Sequence, residues 1–588
     1  MKETTWDLSV YYTGFDAPAF RRDISDISHM VEKGHELLKS SEGPAGILEK
    51  MIRALEALTD KLYRVYSFCQ LTLATDAQNI QALKCQDEIG VLMVDVEVLQ
   101  SACARYIGTV EGLEAIIDGS LFLQDYGFIL RESREKAAHM LPESMERWML
   151  RMSLSGGDAF GKLRNQLMGT HTVEIDGMRL PLSAVRGMAY DPDPSVRKRA
   201  YDAEIVSYQK VELPMAFCLA GIKGEALTLC EAKNYQDVLT QQLVESRMDR
   251  ETLEAMLSAV REALPDFRRY LKAKGKLLGH REGLPFYDLF APVSQAKKRF
   301  TVMEARTLLT DVFSGAHPEM GAFIDRAFAN RWIDLYPREG KEGGAFCAHS
   351  HGLKLSRILT NFVGSFSDVS TLAHELGHAW HGHCMEAKPV LMAEEPMALA
   401  ETASIFNETL LNHTLRKIAD ADDAFAMLES SLMDATQTVV DIYSRFIFEC
   451  AVFEARKTYI PSSEELKAMM LDAQEETYGD SLAQTARHPY MWICKPHYYS
   501  VGLHFYNFPY TFGLLFGLGV FARYQAMGGA FMRSFDELLA ACGSDLVANV
   551  AAGVGIDVHS VEYWRGALNV IRKEIDEFVA LVERRGSR

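Results

Sequence analysis

This sequence predicts a mainly α-helical fold, and three observations carry that reading. Proline is scarce, 18 in 588 residues, or about 3% against a usual ~5%, and each interior proline costs a helix about 3 kcal/mol. Apolar residues recur at spacings of three and four, as in Ile47, Met51, Ile52, Leu55, Leu58 and Leu62, the stripe of an amphipathic helix. Strand-like patterns are confined to two short places. Hydrophobic residues make up 48% and charged ones 24%, a composition that buries a core and excludes a mainly disordered chain.

Helical periodicity runs from Phe20 to about Arg134, with further stripes through Leu92 to Ile117. Ser153-Leu-Ser-Gly-Gly157 breaks it. His171 to Ile175 and Met178 to Leu180 flank Asp176-Gly177, a dipeptide that accepts the positive φ of a type I′ turn and so predicts a hairpin. Asp191-Pro-Asp-Pro-Ser195 reads as a helix start capped by Asp193 or Ser195, and helix continues from Val196 to about Leu278. Glycines 340, 343 and 344 punctuate short apolar runs between Trp332 and Ser356, which predicts a small β patch near residues 335–365. Residues 370–418 and 434–459 read as helical throughout. The organisation expected is a helical N-terminal lobe, 1–195, carrying the hairpin, and a larger region, 196–588, carrying the chemistry.

With 62 Lys+Arg against 80 Asp+Glu the net charge is −18, and no run of five basic residues occurs, so nucleic acid is not an expected partner. The most apolar stretch, Phe512 to Ala522, is eleven residues long, short of the ~20 that span a bilayer, so no membrane role is expected. The N-terminus has no charged-then-apolar signal segment, and the ten cysteines include no Cys-x-x-Cys pair. Free thiols in a reducing cytoplasm are the expectation.

The chemistry concentrates in one place. Six of the 17 histidines fall between 349 and 383, where uniform scatter would put about one. Inside lies His374-Glu375-Leu-Gly-His378, on a helix expected over 369–383 with Asp368 as its cap. Histidines four apart share one helix face, at a separation that lets both ligate one Zn²⁺. Glu375 is turned roughly 100° away and can reach a metal-bound water without ligating. A match of this length arises by chance in about 4% of chains this long, so a third ligand must decide. The pattern that adds a glycine and a third histidine is absent, since those positions are His381 and Cys384. Glutamates 386, 394, 395 and 401 remain. Glu386 is too close for the chain to leave and return, and Glu394 and Glu395 directly precede Pro396 as end-caps. Glu401, one to two turns into a helix from Pro396, is the ligand expected, with Glu408 seven residues on as the partner that orients a ligand histidine.

These residues resemble the zinc site of the oligoendopeptidase F family, relatives of thimet oligopeptidase, neurolysin and Pz-peptidase. Tyr287-Asp-Leu-Phe-Ala-Pro292, Gly343-Gly-Ala-Phe-Cys347, Ile358-Leu-Thr-Asn-Phe362, Pro496-His497 and His504-Phe-Tyr-Asn-Phe-Pro-Tyr510 are similar to that family as well, in the same order. The resemblance implies a two-lobed helical body with a deep substrate channel, the zinc helix on its floor and the 340–350 segment as a β edge beside which substrate lies extended. It implies one Zn²⁺ per chain held by His374, His378 and Glu401, with Glu375 as general base, acting on short oligopeptides. It also places a histidine and tyrosines on a late loop as oxyanion donors: here His497, Tyr506 and Tyr510. The gap between His497 and the Phe-Tyr pair is two residues longer than the family's pattern and contains His504, so two histidines compete for that role. Rival readings are another zinc peptidase class, such as a dipeptidyl carboxypeptidase, and a non-catalytic helical peptide-binding protein.

Overall fold

A computed structural model describes residues 4–294 and 297–586. Its contacts divide the chain into two compact units of interleaved segments: Met1–Met140, Lys298–Thr414 and Arg523–Ile556 in one, Leu141–Lys297, Leu415–Ala522 and Asp557–Arg588 in the other. A single cut near residue 195 is not how the contacts divide it.

The first unit opens with the long helices Pro18–Leu37, Pro44–Thr75 and Ile80–Thr109. Pro44 opens the second at its first turn, where the missing N–H costs nothing. Asn79 caps the third by accepting the Ala82 N–H at 3.0 Å. Their apolar stripes meet in a core holding Phe20, Leu48, Val65, Phe68 and Leu99. Against it stands a small sheet, β3 (Ile333–Asp334), β4 (Phe346–Ser350) and β5 (Leu355–Leu359), in the order β3-β5-β4, so β4 lies at the edge. Buried Asp334 pairs with Lys341 at 2.7 Å and Arg338 at 2.6 Å, and the Asn361 amide donates to the carbonyls of Glu342 and Gly344 at 3.0 and 2.9 Å. These bonds hold the glycine-rich approach to β4.

The helix Phe366–Met385, here the histidine helix, packs on β4 and β5. Its cap is Ser365 and not Asp368: Ser365 Oγ accepts the Asp368 N–H at 3.1 Å while Asp368 accepts the Ser365 N–H at 2.8 Å. This reciprocal capping box starts the helix earlier than the apolar pattern alone placed it. The expected unbroken helix from 370 to 418 is interrupted between Met385 and Met397, where Pro389 and Pro396 cannot donate to a helical ladder.

In the second unit, β1 (Thr172–Ile175) and β2 (Met178–Pro181) form the expected hairpin, with Asp176 and Gly177 at φ 51° and 76°. Asp193, not Ser195, caps the helix Pro194–Tyr208. The helices Arg250–Leu277 and Val561–Gly586 pack along each other. Between helices Ala421–Thr436 and Ile442–Arg456 lies a π turn, Gln437–Asp441, and Thr511 Oγ1 donates to the Thr438 carbonyl there at 2.6 Å. Contrary to the sequence expectation, among the described residues one helix, Glu212–Ala232, is long and apolar enough by length and composition to cross a membrane. Half of that apolar window is buried within the protein, and the helix carries a buried lysine, Lys223.

Candidate metal centre

One turn apart on the histidine helix, His374 and His378 stand with ring centres 4.9 Å apart and planes at 79°. Glu401 reaches them by a different local route from the one its sequence position suggested. The short helix Met397–Ala400 ends at Glu401, with φ −85° and ψ 2°, and a new helix, Thr402–Arg416, starts at the next residue. Ser404 Oγ donates to Glu401 Oε2 at 2.7 Å, which steadies the carboxylate at this break. Its Oε2 lies 3.3 Å from His374 Nε2 and 3.5 Å from His378 Nε2, and the three donor atoms all fall within 4.8 Å of one another.

Those distances test whether a metal fits. A tetrahedral ion with bonds of ~2.0–2.1 Å to nitrogen and oxygen has ligand atoms roughly 3.3–3.4 Å apart, close to the spacing found. Two imidazoles and a carboxylate are the donor set of a divalent ion of the zinc class, and leave it an open position.

The electrostatics point the same way. Burial opposes charge on His374, yet the hydrogen bond to Glu408 and the charges of Glu401, Glu408 and Glu375 overcome it and raise its pKa to about 9. Burial pulls His378 down to about 4 despite Glu401. The carboxylates therefore favour positive charge at this half-buried point, which a dication would supply. Glu375 is itself pushed up to about 7 by burial, with His374 opposing and Glu401 adding to the rise. A carboxylate so poised can take and return a proton near neutral pH.

The surrounding shell explains the ring orientations. His374 Nδ1 lies 3.4 Å from Glu408 Oε2, and Ser370 Oγ donates to Glu408 Oε1 at 3.3 Å. With Nδ1–H held by Glu408, His374 would offer Nε2, on the Glu401 side, to a metal ion that displaces its second proton. Sequence reasoning missed two residues here. Gly377 lets the histidine helix touch the backbone of Ala403 and Ser404, where a Cβ would sit 2.6 Å from Ala403 O and Ser404 Cα. Buried Asn407 donates from Nδ2 to the Ala373 carbonyl at 3.3 Å. The one signal available was the glycine inside the histidine motif.

The other clustered histidines have separate duties. His349 on β4 bonds Ser356 at 3.0 Å, His351 bonds the Lys388 carbonyl at 2.7 Å, His383 bonds Glu386 at 3.0 Å, and His381 is buried. Among the described residues, none of them joins a group able to hold a metal ion.

The late aromatic residues belong to the second unit. His497, on the short turn Pro496–Tyr499, stacks on Tyr506 at 5.4 Å and 18°, and Tyr510 meets Tyr506 edge-on at 5.6 Å. His504 is instead buried, with Nδ1 3.2 Å from Lys223 Nζ. The helix that follows begins only at Phe508.

The profile of peptidase family M3 matches residues 187–570, which take in both the histidine helix and the His497–Tyr510 segment. The chain belongs to peptidase family M3. It is a metallopeptidase, and the likeness drawn from its motifs is borne out. This M3 peptidase is 25% identical, over 99% of its own length and 98% of the relative's, to a protein named oligoendopeptidase F homolog from Lactococcus lactis subsp. lactis (strain IL1403). Its fold is shared with a solved structure described as a peptidase from Chlamydophila abortus, at TM-score 0.86 and 21% identity over 99% of this chain and 98% of that one. The oligoendopeptidase-F structure from Enterococcus faecium aligns at TM-score 0.70 and 17% identity, over 96% and 99% of the two chains. The fold they share with this chain is here mainly helical with only small sheets, as expected of this sequence.

Proposed function

We propose that this M3 peptidase is a zinc-dependent oligoendopeptidase that hydrolyses internal bonds of short, unstructured peptides. The observation that carries the reading is the meeting of His374, His378 and Glu401 donor atoms within 4.8 Å, with Glu375 on the same helix. These three residues would hold one zinc ion, which when bound polarises a peptide carbonyl and acidifies water. Glu375 accepts the proton of the attacking water and returns it to the leaving amine. Glu408 fixes the tautomer of His374. His497, Tyr506 and Tyr510 donate to the oxyanion that develops on the carbonyl. The edge strand β4 offers backbone groups to an extended peptide, which gives affinity without demanding particular side chains. The relatives' name, oligoendopeptidase, supports the substrate class. The ten unpaired cysteines suit a reducing cytoplasm, and neither nucleic acid nor membrane is a partner in this reading.

Zinc content after dialysis and digestion of end-blocked peptides test it together. About one zinc per chain, internal fragments from a blocked ten-residue peptide and arrest by chelators are expected. A stable folded protein in the same mixture is spared, because its backbone groups are already paired. Cleavage restricted to free C-termini would favour a dipeptidyl carboxypeptidase, and metal without turnover would favour a binding protein.

A further inference from the structure

The second unit contains a buried ionic cluster that this mechanism leaves unused. Lys223, 0% exposed, donates to Glu449 Oε1 at 2.5 Å and to His504 Nδ1 at 3.2 Å, and its ammonium lies 4.9 Å from the centre of the Phe453 ring. The ammonium thus has a carboxylate, an imidazole and an aromatic face as partners. His504, 4% exposed, is tied a second time, its backbone N–H donating to Gln242 Oε1 at 3.2 Å. Its ring stands edge-on to Phe453 at 5.5 Å. The next residue, Phe505, has φ +51°, a left-handed conformation that a bulky L-residue rarely adopts. Its ring stacks on Phe453 at 5.3 Å and 27°. The residue after that is Tyr506, lying on His497.

We propose that His504 is a positioning residue: clamped by Lys223 and Gln242, it imposes the left-handed turn at Phe505 that lays Tyr506 against His497. The proposal rests on the reading of His497, Tyr506 and Tyr510 as oxyanion donors. His504 is not itself the donor: with Nδ1 accepting from Lys223 its proton lies on Nε2, and the buried ring spends its N–H on the Val501 backbone. Burial and the Lys223 charge also hold its pKa well below the ordinary imidazole value. The longer spacing between His497 and the Phe-Tyr pair accommodates the clamp.

The test compares His504→Phe, which keeps a ring but removes the acceptor, with His504→Asn, which keeps an acceptor near the Nδ1 position. Each is made alone and with Tyr506→Phe, and each is checked for folding by circular dichroism and for zinc content. His504→Phe should lower kcat about 10- to 100-fold, the cost of misplacing a group by about 1 Å, with KM changed less. His504→Asn should recover most of that loss. In the Tyr506→Phe background His504→Phe should cost little more, because its effect runs through Tyr506. Equal losses in both backgrounds would overturn the proposal, as would a loss in His504→Asn as deep as in His504→Phe. Full activity of His504→Phe beside an impaired Tyr506→Phe would overturn the proposal alone. Full activity of Tyr506→Phe would overturn the donor reading and the proposal with it. Should His504→Phe not fold, Gln242→Leu releases the backbone tether instead and must show the same dependence on Tyr506.

Discussion

Replacing Gly377 with alanine should improve the histidine helix and damage the metal site. Alanine is the better helix former by about 1 kcal/mol, so an isolated helix would gain. Packed here, the new Cβ would stand 2.6 Å from Ala403 O and Ser404 Cα, where ordinary contact begins at 3.4 Å. The obstacle is backbone and cannot rotate away. The helices must therefore part by about 0.8 Å, at an overpacking cost of about 1–3 kcal/mol. Glu401 lies two residues before Ala403 and travels with it, so its 3.3 Å approach to His374 Nε2 lengthens. Metal–ligand distances are held within about 0.2 Å, so affinity should fall about 10- to 100-fold, as it does when the groups supporting a ligand are disturbed. Competition for zinc against a chelator of known affinity measures this, and thermal unfolding of the chelated protein measures the packing term. Gly315→Ala is the control. It lies in the helix Val302–Ala316 with nothing within 4 Å of the added carbon, and should leave metal affinity and activity unchanged. If Gly377→Ala binds zinc as tightly as the parent, the glycine does not set the separation of Glu401 from the histidines.

Glu375→Gln should keep zinc but lose several orders of magnitude in kcat, because an amide cannot accept the proton of water; zinc content and turnover measured on one sample separate the two effects. Glu401→Ala should lose zinc on dialysis while Glu394→Ala and Glu395→Ala keep it, and the reverse pattern would move the ligand to another carboxylate. In the chelated protein, His374 is raised from 6.5 to about 9 by its carboxylate neighbours against the pull of burial. Its contribution to stability is therefore fully present below pH 6.5 and lost as pH rises through about 9. Melting temperatures taken across that range with chelator should fall in the parent and fall less in His374→Gln.

Much of this site is local and so was legible in the chain. The spacing of His374, Glu375 and His378 places them on one helix whatever surrounds it, and the Asp-Gly hairpin and scarce proline act within a few residues. The capping box lay only one turn beyond the expected start, because Ser365 and Asp368 bond each other and not an apolar partner. Glu401 was reached by assuming one continuous helix, yet the helix breaks at that residue and the break helps aim its carboxylate. Gly377 carried no readable reason, since its purpose is a contact with backbone at Ala403 and Ser404 on another helix. The two candidate histidines of the late loop are equivalent by residue type. What separates them is that His504 meets Lys223, 281 residues away, and Lys223 meets Glu449 across 226. Spacing along the chain records interactions within a turn or two of helix, so sequence determined the fold class and the histidine motif. Contacts between distant segments form only when burial makes an unpaired charge too costly to leave, and those the tertiary structure decided.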